Sequence, residues 1–430
     1  MSLPGAPYLA RNGTELTLEG HALAALAQQH GTPLFVYSRA SMRHALSSYQ
    51  RALQGRLHLI CYAMKANSSL AVLQTFAQAG CGFDIVSGGE LARVLAAGGD
   101  AAKVVFSGVG KTRAEMRQAL QAGVRCFNVE SVGELDLLND VALSLDRRAP
   151  ISLRVNPDVD AGTHPYISTG LKGNKFGIAH DEALAAFQHA AALPGLQVVG
   201  IDCHIGSQIT QLAPYVDALD RLLDLVEAVE RTGIAIQHVD VGGGLGITYA
   251  DEAPPDAALL VQRITQRLDE RGHGQRELLF EPGRSLVGNA GVLLTEVLYL
   301  KPGRLDDGGK NFCIVDAAMN DLMRPALYQA WMAIEPCRLR ADAATAATTW
   351  DIVGPVCESG DWLARDRALV VQPGDVLAVL SAGAYGMTMA SNYNTRPRAA
   401  ELMLDGAEVH LIRQRESVDA LFANERLIDR

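Results

Sequence analysis

The stretch Cys61-Tyr62-Ala63-Met64-Lys65-Ala66-Asn67 joins an apolar run to a lysine. The run from Leu57 to Ala63 predicts a buried strand, and Ser68 is expected at the N-cap of the amphipathic helix that follows. A lysine at the mouth of such a strand-helix unit is useful mainly as a nucleophile. Partial desolvation lowers its pKa, and a neutral amine can form a Schiff base with an aldehyde. Taken alone, Lys65 is more plainly interpreted as a solvated loop lysine. The choice between this and a nucleophilic lysine therefore depends on the rest of the chain.

Short apolar runs alternate with amphipathic segments on both sides of this stretch. The predicted strands are Leu57 to Tyr62, Gly82 to Val86, Val104 to Ser107, Arg125 to Val129, Ile151 to Asn156, Gln197 to Cys203, Gln237 to Val241 and Leu278 to Glu281. Glycines at 80, 98, 123, 233 and 272 follow five of the helical segments, as C-terminal caps do. Eight such units predict a (β/α)8 TIM barrel, whose chemistry lies at the C-terminal ends of the strands. A doubly wound open sheet is the alternative, but no Gly-x-Gly-x-x-Gly turn follows the first strand.

A second domain is predicted after about residue 286. Runs rich in β-branched residues, at 292–300, 312–316, 351–353, 376–381 and 409–413, are separated by turn signals such as Lys301-Pro302-Gly303. They favour a C-terminal antiparallel β domain. The early strand Pro33 to Ser38 is expected to join it, because an isolated strand needs a sheet to pair with. We therefore expect residues 1–40 to be an N-terminal segment that lends a strand to the β domain, 41–285 to be the barrel, and 286–430 to be the β domain.

Composition narrows the class of protein. A hydrophobic content of 48% with 20% charged residues is typical of a soluble globular protein, and a net charge of -10 argues against nucleic acid as a partner. No apolar stretch is long enough for a membrane span, and the N-terminus lacks a secretory signal, which indicates the cytoplasm. The seven scattered cysteines show neither a disulfide framework nor zinc spacing. Most are expected in the core, with Cys357 as the exception.

Polar residues or glycines follow every predicted barrel strand. They are Lys65; Asp84, Ser87 and Glu90; Ser107; Asn128 and Glu130; Arg154 and Asn156; His204 and Ser207; Gly242, Gly243 and Gly244; and Glu281 to Arg284. The glycine run suits a phosphate, and a carboxylate such as Glu281 keeps the ring nitrogen of pyridoxal phosphate protonated. Taken singly, the residues have plainer interpretations. These are a helix cap for Ser87 or Glu130, a flexible turn for the glycine run, a core histidine for His204, and an ion pair with Arg284 for Glu281. Together the residues form an unusually polar rim.

Several motifs resemble the fold-type III pyridoxal-phosphate decarboxylases, which share the fold of alanine racemase. They are Tyr62-Ala-Met-Lys65-Ala-Asn67, Phe83-Asp-Ile-Val-Ser87-Gly-Gly-Glu90, His204-Ile-Gly-Ser207, Gly242-Gly-Gly244 and Glu281-Pro-Gly-Arg284. The stretches 169–177, 320–328, 357–361, 383–386 and 391–397 are similar to one branch of this family, and the likeness runs from about residue 33 to about 406.

The resemblance implies a role for each matching residue. Lys65 holds the cofactor, His204 stacks on its ring, and Glu281 pairs with its nitrogen; the other cofactor contacts implied are Asp84, Ser207, Gly242, Gly243, Gly244, Gly283, Arg284 and Tyr385. Arg284, Arg324 and Tyr328 grip a distal carboxylate, Glu358 a distal amino group, and Tyr385 contacts the substrate as well. Cys357 donates a proton. In the family Cys357 and Glu358 come from the partner subunit, so a homodimer is implied.

The residue types agree with a decarboxylase whose substrate carries an amino-acid group at each end. Two arginines and a carboxylate suit a second amino-acid head group, because bidentate arginine binds a carboxylate well. Three alternatives remain: a decarboxylase of ornithine, lysine or arginine, an amino-acid racemase, and a non-catalytic pyridoxal-phosphate-binding barrel. The C-terminal domain with Cys357 and Tyr385 argues against the last, because a carrier does not need these groups.

Overall fold

The computed structural model describes residues 3–160, 162, 169–170, 174–304, 309–340 and 347–428. The chain divides into two compact units. The barrel unit comprises Arg43–Ile247 and Ala253–Leu286, and the β unit comprises Met1–Met42, Thr248–Glu252 and Val287–Arg430. Nothing in the sequence indicates that residues 248–252 belong to the β unit. Of the similarity motif at 169–177, positions 171–173 lie outside the described residues.

The strands and helices of the described residues are numbered here in chain order. The strands are β1 (Leu9–Asn12), β2 (Glu15–Leu18), β3 (His21–Ala22), β4 (Leu34–Ser38), β5 (His58–Ala63), β6 (Gly82–Ile85), β7 (Val104–Phe106), β8 (Cys126–Val129), β9 (Ala149–Asn156), β10 (Ile178–Ala179), β11 (Leu196–Asp202), β12 (His238–Asp240), β13 (Glu277–Phe280), β14 (Gly291–Lys301), β15 (Phe312–Val315), β16 (Ile334–Pro336), β17 (Thr348–Val353), β18 (Trp362–Leu369), β19 (Val376–Val379), β20 (Ala400–Asp405) and β21 (Glu408–Arg413). The helices are α1 (Leu23–His30), α2 (Arg39–Ala52), α3 (Leu70–Gln78), α4 (Gly88–Ala96), α5 (Arg113–Ala122), α6 (Val132–Leu143), α7 (His180–Ala192), α8 (Ala213–Arg231), α9 (Ala257–Glu270), α10 (Arg284–Val287), α11 (Arg324–Tyr328) and α12 (Val418–Leu421).

Eight parallel strands close into a barrel. The ring runs β5, β6, β7, β8, β9, β11, β12, β13 and returns to β5, because β8 pairs with β9 and β13 pairs with β5. A cluster of small and branched apolar side chains, including Leu59, Val105 and Leu279, fills part of its interior. The predicted (β/α)8 barrel is confirmed strand for strand, and closure of the ring excludes the open doubly wound sheet.

Local signals place most of the barrel helices. The glycines at 80, 98, 123, 233 and 272 all have a positive φ, as expected after a helix end. At the start of α5, Thr112 and Glu115 form a reciprocal capping box. The prediction for Ser68 is wrong: α3 begins at Leu70 with Ser69 at its N-cap position.

The β unit contains the predicted sheet together with strands that the sequence did not reveal. The main path is β18-β17-β15-β14-β4-β20-β21; off this path, β19 pairs with β14 and β16 pairs with β19. Strand β4, which covers the early strand of the sequence, lies between β14 and β20 in this sheet. The sheet was predicted to be antiparallel, but it is mixed, because β20 pairs parallel with β4 and β17 pairs parallel with β15. A small sheet of β1, β2 and β3 was not predicted.

Apolar side chains from both ends of the chain share the core of the β unit. Leu16 and Leu18 of the N-terminal sheet are buried in one cluster with Leu294 and Leu402. Among the described residues, none of the helices combines the length and the apolar character that crossing a bilayer requires.

Candidate active site

Six neighbouring strands of the barrel place one ionisable side chain each at their C-terminal end. In ring order these are Arg154 on β9, Asp202 on β11, Asp240 on β12, Glu281 directly after β13, Lys65 after β5 and Asp84 on β6. Asp202 is in register with both Arg154 and Asp240, and in parallel strands such residues lie at one level of the barrel. We call these six residues the strand-end ring.

Lys65 lies within the strand-end ring beside a carboxylate. It is the central residue of a short 3-10 turn, Met64–Ala66, and its Nζ is 2.5 Å from Oδ2 of Asp84. The Asp84 side chain is fully buried, whereas 35% of the Lys65 side chain is exposed. Asp84 therefore holds the amine, while part of the Lys65 side chain remains accessible.

Three carboxyl groups crowd together at the ends of the neighbouring strands β11, β12 and β13. Asp202, Asp240 and Glu281 each bring an oxygen to within 4.8 Å of the other two. The charge that offsets them comes from Arg154, whose Nε lies 4.0 Å from Asp202. Burial raises the pKa of Asp202 and Glu281 well above the ordinary range, and it raises the pKa of Asp240 to about 7. Like charges at this spacing are unstable unless a proton or another cation lies among them.

His204 follows β11 and is held as a neutral ring. The N–H of Gly243 donates to Nδ1 of His204 at 3.2 Å, so the ring proton is on Nε2. Burial and the nearby charge of Arg154 lower the pKa of His204 well below its ordinary value. The ring therefore stays uncharged at neutral pH and presents a flat face.

The glycines at 242–244 are required by close packing. A Cβ at Gly243 would lie 2.0 Å from the carbonyl oxygen of Glu281, and one at Gly244 would lie 2.3 Å from that of Gly206. The N–H of Gly242 donates to Oδ1 of Asp240 at 2.8 Å, and that of Gly243 donates to His204. The N–H groups of Gly242 and Gly243 therefore already have acceptors in the protein. What these two glycines can offer a phosphate site is the close approach of the backbone, not a hydrogen bond.

Ser207 and Arg284 form a second polar point in the barrel unit. Nη2 of Arg284 donates to Oγ of Ser207 at 3.0 Å, and Arg284 is buried. A guanidinium beside a hydroxyl suits a phosphate or a carboxylate. Gly283 lets this loop approach the one that carries Lys65, since a Cβ there would lie 3.1 Å from the carbonyl oxygen of Ala63.

Other residues of the predicted rim have structural partners. Ser87 caps α4 by accepting from the N–H of Glu90, which was the plainer interpretation of that serine. Glu130 accepts from Arg154 at 3.2 Å and from the N–H groups of Gly108 and Gly177. Asn128 donates to Ser107 at 3.2 Å and to Glu281 at 3.4 Å. Glu130 and Asn128 therefore hold two members of the strand-end ring, Arg154 and Glu281, in place.

The β unit carries its own predicted site residues. Arg324 and Tyr328 are the first and last residues of α11, and Arg324 is buried. The guanidinium carbon of Arg324 lies 4.5 Å from the ring centroid of Tyr249, a cation–π contact. Sequence reasoning missed Tyr249, because nothing in the sequence links it to a residue 75 positions later.

The loop that holds Cys357 and Glu358 is anchored by Asp361. Its carboxylate accepts from the N–H of Val356 and from that of Met319, both at 2.7 Å. Cys357 is exposed while the other six cysteines are buried, as the sequence predicted. Tyr385 has a φ of 55°, a left-handed conformation that is rare for a bulky residue and typical of functional positions.

Comparison with known proteins defines the class first. Residues 39–288 match the family described as "Pyridoxal-dependent decarboxylase, pyridoxal binding domain", so the protein is of the pyridoxal-dependent decarboxylase class. Diaminopimelate decarboxylase of Pseudomonas aeruginosa is 60% identical over 96% of this chain and 97% of its own length, and that of Vibrio cholerae is 58% identical over 96% and 97%. The chain belongs to the family of diaminopimelate decarboxylases.

A solved structure agrees with this assignment. The crystal structure of diaminopimelate decarboxylase from Helicobacter pylori complexed with L-lysine superposes with a TM-score of 0.88 at 42% identity, covering 93% of this chain and 98% of that one. The fold of this chain is therefore that of the family as well as its sequence.

The barrel unit fits pyridoxal phosphate. Lys65 offers an amine on a partly exposed side chain, and Ser207 with Arg284 suits a phosphate. Oδ1 of Asp202 and Oδ2 of Asp240 are buried and, among the described residues, have no hydrogen-bond donor. A protonated ring nitrogen would bring positive charge to this group of carboxylates, at Glu281.

Proposed function

We propose that the chain binds pyridoxal 5'-phosphate through Lys65 and decarboxylates meso-2,6-diaminopimelate to L-lysine and carbon dioxide, the last step of lysine biosynthesis. The observation that carries the proposal is the strand-end ring, in which Lys65 stands between Glu281 and Asp84. The names of the relatives, several at more than half identity over nearly the whole chain, support the choice of substrate.

The barrel residues hold the cofactor in this proposal. Lys65 attaches it, Glu281 pairs with the ring nitrogen, and neutral His204 lies against the ring face. Ser207, Arg284 and the glycine loops bind the phosphate. When bound, pyridoxal phosphate accepts the electrons of the bond that breaks. Asp84, 2.5 Å from the amine of Lys65, keeps that amine oriented toward the cofactor.

The β-unit residues recognise the substrate. Arg324 and Tyr328, together with Arg284 of the barrel, bind the distal carboxylate, and Glu358 binds the distal amino group. Cys357 delivers the proton that replaces the departing carboxylate, since its thiol is exposed on an anchored loop. Tyr385 contacts both cofactor and substrate; its strained backbone supports this role.

The working assembly in this proposal is a homodimer in the cytoplasm. The resemblance supports the dimer, because family members take Cys357 and Glu358 of each site from the partner subunit. Free cysteines in odd number, six of them buried, suit a reducing compartment.

A product assay tests the proposal. The purified protein with added pyridoxal phosphate is given meso-diaminopimelate, L-ornithine, L-lysine and L-arginine in parallel, and carbon dioxide and amine products are quantified. We expect lysine from diaminopimelate and no diamine from the others. Release of a diamine instead would move the protein to the related decarboxylases of basic amino acids and would contradict the role given to Arg324. Racemised substrate without carbon dioxide would identify a racemase.

A further inference from the structure

Asp240 is an acidic residue of the strand-end ring to which the proposed function gives no task. It ends β12, between Asp202 on β11 and Glu281 after β13. Its Oδ1 accepts from the N–H of Gly242 at 2.8 Å, and one of its carboxyl oxygens lies within 4.8 Å of a carboxyl oxygen of Glu281. Two carboxyl groups can share a hydrogen bond only if one of them carries a proton.

The cations of the ring are already engaged elsewhere. Lys65 faces Asp84 at 2.5 Å, and Arg154 divides its guanidinium between Glu130 at 3.2 Å and Asp202 at 4.0 Å. Asp240 and Glu281 are the two carboxyl groups of the ring that these contacts leave without a cation. Both are buried, and burial raises the pKa of both carboxyl groups, which supports one proton retained between them.

The position of that proton follows from the task of Glu281. We propose that Asp240 is a positioning residue: it holds the proton and donates it as a hydrogen bond to Glu281, which therefore stays ionised toward the cofactor's ring nitrogen. The inference rests on the proposed role of Glu281. A hydrogen bond to the charged form of a carboxylate favours that form, so Glu281 becomes less able to take the proton of the ring nitrogen. The bond from Gly242 fixes the orientation of the Asp240 carboxyl group.

Two substitutions at Asp240 test whether the residue acts as a neutral hydrogen-bond donor to Glu281. Asparagine has the shape of a protonated aspartate, so Asp240→Asn retains an acceptor for Gly242 and an N–H donor for Glu281. Asp240→Ala removes both. We expect Asp240→Ala to lower kcat by roughly 10- to 100-fold with a smaller change in KM, as is usual when the partner of a key ligand is removed, and Asp240→Asn to recover most of that loss. An Asn variant as damaged as the Ala variant would overturn the proposal.

Infrared spectroscopy of the holoenzyme reads the proton directly, without turnover. The difference spectrum of wild type minus Asp240→Asn should contain the carbonyl band of a protonated carboxylic acid. The control is Glu227→Gln, whose difference spectrum should contain the bands of an ionised carboxylate, because the hydrogen bond from Arg271 lowers the pKa of Glu227. Carboxylate bands in the Asp240 spectrum would show that Asp240 is ionised and would overturn the proposal.

The ring nitrogen gives a readout that a purely structural role of Asp240 would not change. In enzyme reconstituted with 15N-labelled pyridoxal phosphate, the nitrogen signal should indicate a protonated ring in wild type and in Asp240→Asn, and should move toward the neutral value in Asp240→Ala. A protonated ring in all three would overturn the role of Asp240 and leave that of Glu281 intact. A neutral ring in wild type would instead contradict the role of Glu281, and with it this inference.

Discussion

The guanidinium of Arg324 stacks over the ring of Tyr249, with its central carbon 4.5 Å from the ring centroid. Arg324 is buried, so the ring restricts the plane in which its N–H groups can point. Because an arginine binds a carboxylate best with both groups in one plane, the ring presets the direction from which a carboxylate can approach.

Replacing Tyr249 by leucine should weaken substrate binding more than catalysis. Loss of a cation–π contact worth about 1 kcal/mol raises KM for diaminopimelate roughly fivefold, while kcat changes little. Steady-state kinetics measure both. Tyr249→Phe is the matched control, because it retains the ring. Equal effects of the two substitutions would show that the ring does not orient Arg324.

Lys65→Ala should abolish turnover together with the visible absorbance of the protein-linked cofactor, because the alanine side chain has no amine to attach it. Absorbance after dialysis against free cofactor measures the loss. Lys103, a lysine of the barrel unit whose Nζ donates to the carbonyl of Gly80, supplies the control Lys103→Ala, which should keep its colour. Colour that survives unchanged in Lys65→Ala would disprove the attachment.

Cys357→Ala should keep the cofactor and lose most of its turnover. If each site takes Cys357 from the partner subunit, two inactive variants can complement each other. Mixing Lys65→Ala with Cys357→Ala under subunit exchange should restore about a quarter of wild-type activity, since half of the dimers then contain one intact site of two. Each variant mixed with itself is the control. No recovery despite proven exchange would place Cys357 and Lys65 of one site on the same chain.

Asp321 should make the stability of the protein depend on pH. Burial raises its pKa from 3.8 to about 7, so the folded chain holds this proton more tightly than the unfolded chain does. The resulting stability is fully present at low pH and is lost as the pH rises through this interval, by up to about 4 kcal/mol. Asp321→Asn, which keeps an acceptor for the N–H of Ala318, should remove this loss.

Denaturant unfolding at a series of pH values measures the effect. The free energy of unfolding of Asp321→Asn, relative to wild type, should increase with pH over the same interval. The exposed Asp419→Asn is the control and should follow wild type. Parallel curves for wild type and Asp321→Asn would mean that Asp321 is already ionised in the folded protein at low pH.

The sequence predicted the barrel because buried parallel strands are continuous apolar runs, and amphipathic helices ending in glycine separate them. It missed β18, whose Arg365 and Asp366 are exposed and interrupt the apolar pattern. It also missed β1 to β3, which are only two to four residues long. Short or half-exposed strands are defined by the sheet they join, and single-sequence periodicity does not show that sheet.

The site residues also divide into those that a local sequence pattern indicates and those that only the assembled barrel brings together. Lys65, His204 and Glu281 could be predicted as site residues because each stands where an apolar run ends. Asp202 and Asp240 also end strands, but a single aspartate there is equally typical of a strand terminus. Only the order of strands around the ring brings them to within 4.8 Å of Glu281. The buried carboxyl cluster is therefore a property of the closed fold and not of any local motif.

Closure of the ring also sets an order of events during synthesis. Strand β5, which leads into Lys65, pairs with β13, where His58 is in register with Leu278. One edge of β5 therefore stays unpaired until residue 278 has been synthesised. One edge of strand β4 stays unpaired for longer, because its partner there is β20, Ala400–Asp405, near the end of the chain. A nascent chain of 270 residues therefore carries an open barrel and no Glu281, and cofactor capture must come late in biogenesis. Chains that terminate before β20 would leave the ribosome with an uncovered strand edge, a surface that chaperones and aggregating partners recognise.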